Sequence, residues 1–178
     1  MDINELTLAG CFEITPKVFK DNRGSFVKTY HEDIFSEKKI NFEMKEEFYS
    51  TSHKNVFRGL HFQLPPSAHN KIVYCAQGSV VDFLVDLRKN SATYKKSISI
   101  ELNEENGKAL YIPIGIAHGF LSTSENSLMV YKTDSVYAPE EDSGILFSSC
   151  NLSDLPKSIV MSERDKNFIS IQQFQSPF

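Results

Sequence analysis

KIVYCAQGSVVDFLVDL, residues 71–87, sets two apolar runs, Lys71–Ala76 and Val80–Leu87, on either side of a Gln77-Gly78 pair. β-Branched and aromatic side chains dominate both runs, and the glycine between them accepts the positive φ of a tight turn, so they read as two β-strands. The same texture recurs outward in both directions. Upstream lie Cys11–Thr15, Ser25–Tyr30, Glu47–Ser52 and Val56–Phe62; downstream lie Ser97–Leu102, Ala109–Ile112, Gly119–Ser122, Leu128–Thr133 and Gly144–Phe147. Turn-forming residues separate them at Asp21–Gly24, Asn103–Gly107 and Pro113–Gly115. Only His31–Lys39 and the segment after Ser162 read as helical, and in the latter Ser162-Glu163-Arg164-Asp165 has capping-box spacing with Asp at the third position. Many short strands, 14 Phe and little helix predict an all-β fold. The expected architecture is an antiparallel β-sandwich of jelly-roll type with a few short helices.

The 178 residues show no repeat, linker or low-complexity tract, so a single domain spanning 1–178 is expected. No apolar run approaches the roughly 20 residues of a spanning helix. The opening MDINELTLAG lacks the basic and apolar segments of a signal peptide, so a cytoplasmic protein with no membrane association is expected. Cys11, Cys75 and Cys150 have no Cys-x-x-Cys spacing and read as reduced fillers. A net charge of −4 argues against nucleic acid as a partner. An anionic ligand would need its cations gathered locally.

The polar residues of interest sit inside apolar strands. In Val56–Gln63, period-2 alternation places Phe57, Gly59, His61 and Gln63 on one face and Arg58, Leu60 and Phe62 on the other, unless a bulge at Gly59 turns Arg58 toward His61. Taken singly, each candidate has a plain structural reading: His61 as a hydrogen-bonded core residue, Lys71 as a solvated strand end, His118 as a turn residue, Tyr131 as a packed aromatic. Taken together they are a base, a cation, a second imidazole and a phenol on strands that a jelly roll brings to one cavity mouth. A metal is the rival explanation. The His-x-His pair of metal-binding jelly rolls reads His61-Phe62-Gln63 here and no Glu follows at suitable spacing, which leaves only His61, His69 and His118 as donors. The expectation is no metal and no other cofactor.

Asp21-x-Arg23-Gly24-x-Phe26, Arg58–Gln63, Lys71, Asp86-Leu87-Arg88-x-x-Ser91-x-Thr93-Tyr94, Ile112-Pro113-x-Gly115-x-Ala117–Phe120, Tyr131–Thr133, Tyr137 and Ser162-x-Arg164-Asp165 follow one another along the chain. In that order they resemble the dTDP-4-dehydrorhamnose 3,5-epimerase family from about Ile14 to Asp165. The resemblance implies a cupin jelly roll and a homodimer that exchanges N-terminal strands. It further implies metal-independent epimerisation of a nucleotide-diphosphate-linked 4-keto-6-deoxyhexose, in deoxysugar biosynthesis. By its motifs His61 is the base, Asp165 the partner that orients it, Lys71 the cation at the enolate oxygen and Tyr131 the acid on the opposite face. Arg23, Arg58 and His118 would meet the diphosphate and Tyr137 would stack on the nucleobase.

Five positions depart from the family pattern. Lys28 stands where an acidic residue is usual, Glu46 and Phe48 replace a Gln and an Asn, and Asp142 and Arg164 replace a Glu and a Lys. All belong to the substrate-holding shell, so a CDP- or GDP-linked sugar is an expected alternative to the dTDP-linked one. A 3,4-ketoisomerase and a non-catalytic or metal-binding cupin remain the competing functions.

Overall fold

The structure, a computed structural model, describes residues 1–152 and 155–178. Numbered in chain order, one sheet runs β1 (Asp2–Glu5), β2 (Phe12–Thr15), β10 (Ala109–Ile112), β7 (Lys71–Gln77), β12 (Asn126–Thr133), β5 (Glu46–His53). The facing sheet runs β13 (Asp142–Gly144), β6 (Phe57–Gln63), β11 (Ile116–Ser122), β8 (Ser79–Asp86), β9 (Ser97–Asn103). A separate hairpin pairs β3 (Val18–Asp21) with β4 (Gly24–Val27), and two short helices complete the chain, α1 (Glu32–Glu37) and α2 (Glu163–Lys166). Every ladder between these strands is antiparallel. This is the jelly roll expected from the sequence. Among the described residues no helix is long and apolar enough to cross a membrane.

Apolar packing occupies three layers. Between the sheets lie Val73, Leu84, Leu110, Phe120 and Met129. Outside the second sheet, Phe57, Leu60, Phe83 and Val85 pack beneath the C-terminal segment through Ile145 and Ile171. Outside the first sheet, Ile14, Ile72 and Tyr111 are covered by Phe35 and Ile40 at α1. Because both outer faces are covered, several strands read as continuous apolar runs instead of a clean alternation.

Several elements differ from expectation, among them β11, which begins at Ile116 ahead of the expected Gly119. β1 and β3 carry mostly exposed polar or isolated aromatic residues, and β1 buries only Ile3, so neither has the apolar texture of a strand. The last strand is β13, ahead of the expected Gly144–Phe147, because Phe147–Ser149 closes into a 3-10 turn. β4 stops at Val27 instead of continuing to Tyr30.

The strict alternation expected over Val56–Gln63 is broken at Gly59. Along β11, His118 pairs with His61 and Phe120 with Arg58, so two steps on one strand face three on the other. That extra residue puts Arg58 on the same face as His61. Gly59 allows it: its φ is +136°, and a Cβ there would lie 2.6 Å from the Gly119 Cα.

Candidate active site

Alternate residues of five strands point into one end of the space between the sheets, where the apolar core gives way to a cavity of about 380 Å³. β5 contributes Glu46, Phe48 and Ser50; β6 contributes Arg58, His61 and Gln63; β7 contributes Lys71. β11 contributes His118, and β12 contributes Tyr131 and Thr133. The volume falls in the range of small-molecule sites.

His61 and Asp165, 104 residues apart in sequence, meet at 2.9 Å between Nε2 and Oδ1. α2 makes the contact possible. Ser162 caps that helix by accepting the Asp165 N–H at 3.1 Å, and the Asp165 carboxylate, in place of closing a capping box, reaches β6. There its Oδ2 accepts the Gly59 N–H at 3.1 Å. Burial alone would raise the Asp165 pKa, but the hydrogen bonds from His61, Gly59 and Ser162 hold it at about 2. The carboxylate therefore stays charged beside His61 Nε2; a proton held between Asp165 and Nε2 leaves the Nδ1 lone pair free, and the Arg164 guanidinium, which only donates, then makes no hydrogen bond to Nε2 although it lies 2.9 Å away. Burial lowers the His61 pKa; Asp165 opposes this, while Arg164 and Lys71 add to it.

Lys71 donates from Nζ to the His61 carbonyl at 3.3 Å, and burial pulls its pKa down to about 8 against the raising influence of Asp142 and Asp82. Lys71 is thus a wall of the cavity, not the solvated strand end that its position alone suggests. Tyr131 is buried, with its ring stacked on Phe48 at 4.7 Å and 11° and its hydroxyl 3.4 Å from Ser50 Oγ. Burial raises its pKa, so it holds its proton. His118 is buried behind it, with Nε2 hydrogen-bonded to Asp82 Oδ2 at 2.8 Å. Arg58 is held by Ser52 Oγ at 2.9 Å and the Thr51 carbonyl at 3.0 Å.

At the mouth, Tyr137 is exposed and anchored at both ends. Its N–H donates to Glu46 Oε2 at 2.6 Å and its hydroxyl to Asp142 Oδ2 at 3.2 Å. Arg164 bridges the rim, donating from Nη1 to Asp142 at 2.5 Å while Nη2 lies 2.9 Å from His61 Nε2. Glu46, Asp142 and Arg164, three of the five departures from the family pattern, thus hold one another or the Tyr137 backbone, and Phe48 covers Tyr131.

The chain by itself does not bring Arg23 or Lys28 to this cavity. Arg23 sits on the exposed β3–β4 hairpin paired with Asp21 at 2.7 Å, and Lys28 follows β4 in an exposed position. Gln63 and His69 line the cavity and Asp82 backs it through His118, although the sequence suggests no substrate role for any of the three. The available signal for Asp82 was a lone carboxylate in an apolar strand. Among the described residues no group of three or more His, Cys, Asp or Glu is placed to hold a metal ion. Each imidazole of the cavity has a different partner: Asp165 for His61, Gln63 for His69 and Asp82 for His118.

The cupin-type jelly roll, with an imidazole, a cation and a protonated phenol lining its cavity, belongs with enzymes of the isomerase class. The comparisons with known proteins narrow the class. The chain belongs to the dTDP-4-dehydrorhamnose 3,5-epimerase family, whose sequence model matches residues 5–173. The dTDP-4-dehydrorhamnose 3,5-epimerase of Shigella flexneri is 40% identical over 157 residues, covering 85% of this chain and 86% of that protein. The crystal structure of the same-named enzyme from Elizabethkingia anophelis superposes with a TM-score of 0.89 at 37% identity, covering 97% of each chain. A Legionella pneumophila epimerase, solved in complex with dTDP-4-keto-L-rhamnose, superposes with a TM-score of 0.91 at 27% identity, covering 98% of this chain and 94% of that one.

Proposed function

We propose that the protein inverts C3, C5 or both in dTDP-4-dehydro-6-deoxyglucose by proton removal at His61 and proton return from Tyr131. The observation that carries this reading is the His61–Asp165 pair at 2.9 Å in a cavity shared with Lys71 and Tyr131. A hydrogen on carbon beside the C4 ketone is acidic once the enolate is stabilised. His61 Nδ1 takes that proton, Asp165 stabilises the imidazolium, and the Lys71 ammonium meets the charge that develops on the C4 oxygen. Tyr131 then delivers a proton to the opposite face of the same carbon, the ketone re-forms with inverted configuration, and solvent exchange returns the two side chains to their starting states. Asp165 acts here as the orienting carboxylate does in other His-dependent sites.

Arg58 and His118 are assigned to the diphosphate and Tyr137 to the nucleobase. Glu46, Phe48, Asp142 and Arg164 shape the surrounding shell. A homodimer exchanging N-terminal strands would set the exposed β3–β4 hairpin, with Phe19, Phe26, Arg23 and Lys28, against a partner's cavity; light scattering of the purified chain tests the dimer. The three free cysteines fit a reducing, cytoplasmic setting. A CDP- or GDP-linked substrate is the second reading, because the Glu46 carboxylate is engaged with the Tyr137 N–H and so differs from an amide offered to thymine.

The test is turnover of dTDP-, CDP- and GDP-4-keto-6-deoxyglucose in deuterated water, with C3 and C5 followed by NMR. Inversion with deuterium uptake from the dTDP sugar is expected. Preference for another donor moves the assignment to that nucleotide, and no exchange with any of the three removes the catalytic reading.

A further inference from the structure

The buried amide of Gln63 fixes the chemical state of a second imidazole. Gln63 Oε1 accepts the Ala138 N–H at 2.7 Å, so the amide nitrogen faces the Ser67 carbonyl at 2.7 Å and His69 Nδ1 at 3.1 Å. A carbonyl only accepts, so one amide hydrogen goes to Ser67, and the second lies between His69 Nδ1 and the more distant Val136 carbonyl. An amide nitrogen offers no lone pair, so His69 Nδ1 facing it at 3.1 Å is best matched as an acceptor, with the ring proton on Nε2. Among the described residues His69 Nε2 has no protein partner, yet it is not a buried orphan, and His69 lines the same cavity as Lys71 and Tyr137. Its N–H is open to that cavity. The same Gln63 amide lies 3.4 Å from the Val136 carbonyl and so grips the backbone on both sides of Tyr137.

We propose that His69 is a substrate-binding residue, a neutral imidazole whose Nε2–H donates to an acceptor oxygen of the nucleotide sugar, and that Gln63 is the positioning residue that holds it in that tautomer. This rests on the epimerase reading above. Glu46, Arg58, His61, Lys71, Asp142 and Arg164, with His118, Tyr131 and Tyr137, are the other titratable or charged groups around His69 in the cavity wall. Burial, reinforced by Lys71 and opposed by the Ser67 carbonyl, brings the His69 pKa down to about 4, so the donor stays uncharged at neutral pH.

The experiment compares wild type with His69→Phe, His69→Gln and Gln63→Leu. Loss of one hydrogen bond to the ligand should raise KM about tenfold in His69→Phe with kcat within about threefold. His69→Gln, which keeps an N–H donor, should recover part of that loss. Nitrogen-15 NMR of the free wild-type protein should show the Nε2–H tautomer, and Gln63→Leu should lose this preference and share the higher KM. Binding of dTDP alone separates the two acceptor sources: weakening equal to the KM change places the oxygen on the nucleotide, and none places it on the hexose. An unchanged KM in both His69 variants, or an Nδ1–H tautomer in wild type, overturns the proposal. Absence of turnover by wild type would instead remove the underlying epimerase reading, and the NMR result stands apart from activity.

Discussion

Replacing Gly59 with alanine perturbs the one residue that lets Arg58 and His61 share a face. Its φ of +136° lies where an L side chain is disfavoured, at a cost of about 1–2 kcal/mol. The new Cβ would also stand 2.6 Å from the Gly119 Cα and 3.0 Å from the His118 carbonyl oxygen. Both are backbone atoms of β11 and cannot rotate aside, so β6 must move, which adds roughly 1–3 kcal/mol. At about 2–4 °C per kcal/mol for a chain of this size, Tm should fall by roughly 4–20 °C. Gly59 N–H also donates to Asp165 Oδ2, so the same shift disturbs the His61 pair, and a displacement near 1 Å costs about 100-fold in kcat. Gly24→Ala is the control for stability. It has a φ of +126° with nothing within 4 Å of the new Cβ, so it carries backbone strain without the clash. Thermal unfolding monitored by circular dichroism, paired with single-turnover kinetics, reads both effects. A Gly59→Ala protein no less stable than Gly24→Ala, with wild-type kcat, would refute the bulge as the device that aligns the site.

The pH profile of kcat/KM should be bell-shaped. His61 must be neutral, so activity is lost as pH falls through a value below that of an ordinary histidine; Lys71 must be protonated, so activity is lost as pH rises past about 8. Lys71→Met should remove the alkaline limb together with most of the rate. Asp165→Asn puts an amide where the His61 Nε2–H and the Gly59 N–H both need an acceptor. By analogy with other orienting carboxylates, kcat should fall by about 10³–10⁴ with KM little changed, as stopped-flow turnover will show. Ser162→Ala removes the α2 cap and should cost about 1 kcal/mol in urea unfolding, with a smaller loss of kcat.

The main sheets were legible because their strands carry apolar residues on both faces, as Val80–Leu87 does on β8, packed inward through Leu84 and outward through Phe83 and Val85. β1 and β3 were not, because a strand that buries one residue, as β1 does, or none, as β3 does, has no local texture to distinguish it from a loop. In the site, residues two apart on one strand were easy to group. Arg58 with His61 needed a bulge, which is a property of the pairing with β11 and not of β6 alone. The partnership of Asp165 with His61 came only through family resemblance, since no local periodicity links residues 104 positions apart. His69 was passed over as a weak metal donor. Its role depends on the direction of the Gln63 amide, which only the three-dimensional network of Ala138, Ser67 and His69 reveals.

The proposed inversion requires two side chains acting on opposite faces of one carbon. The most direct measurement is deuterium wash-in from solvent at C3 and C5 of dTDP-4-keto-6-deoxyglucose with His61→Asn and with Tyr131→Phe. We expect no exchange from His61→Asn, and from Tyr131→Phe exchange that outruns inversion. Undiminished exchange in His61→Asn, or full clean inversion in Tyr131→Phe, would contradict the assignment of base and acid.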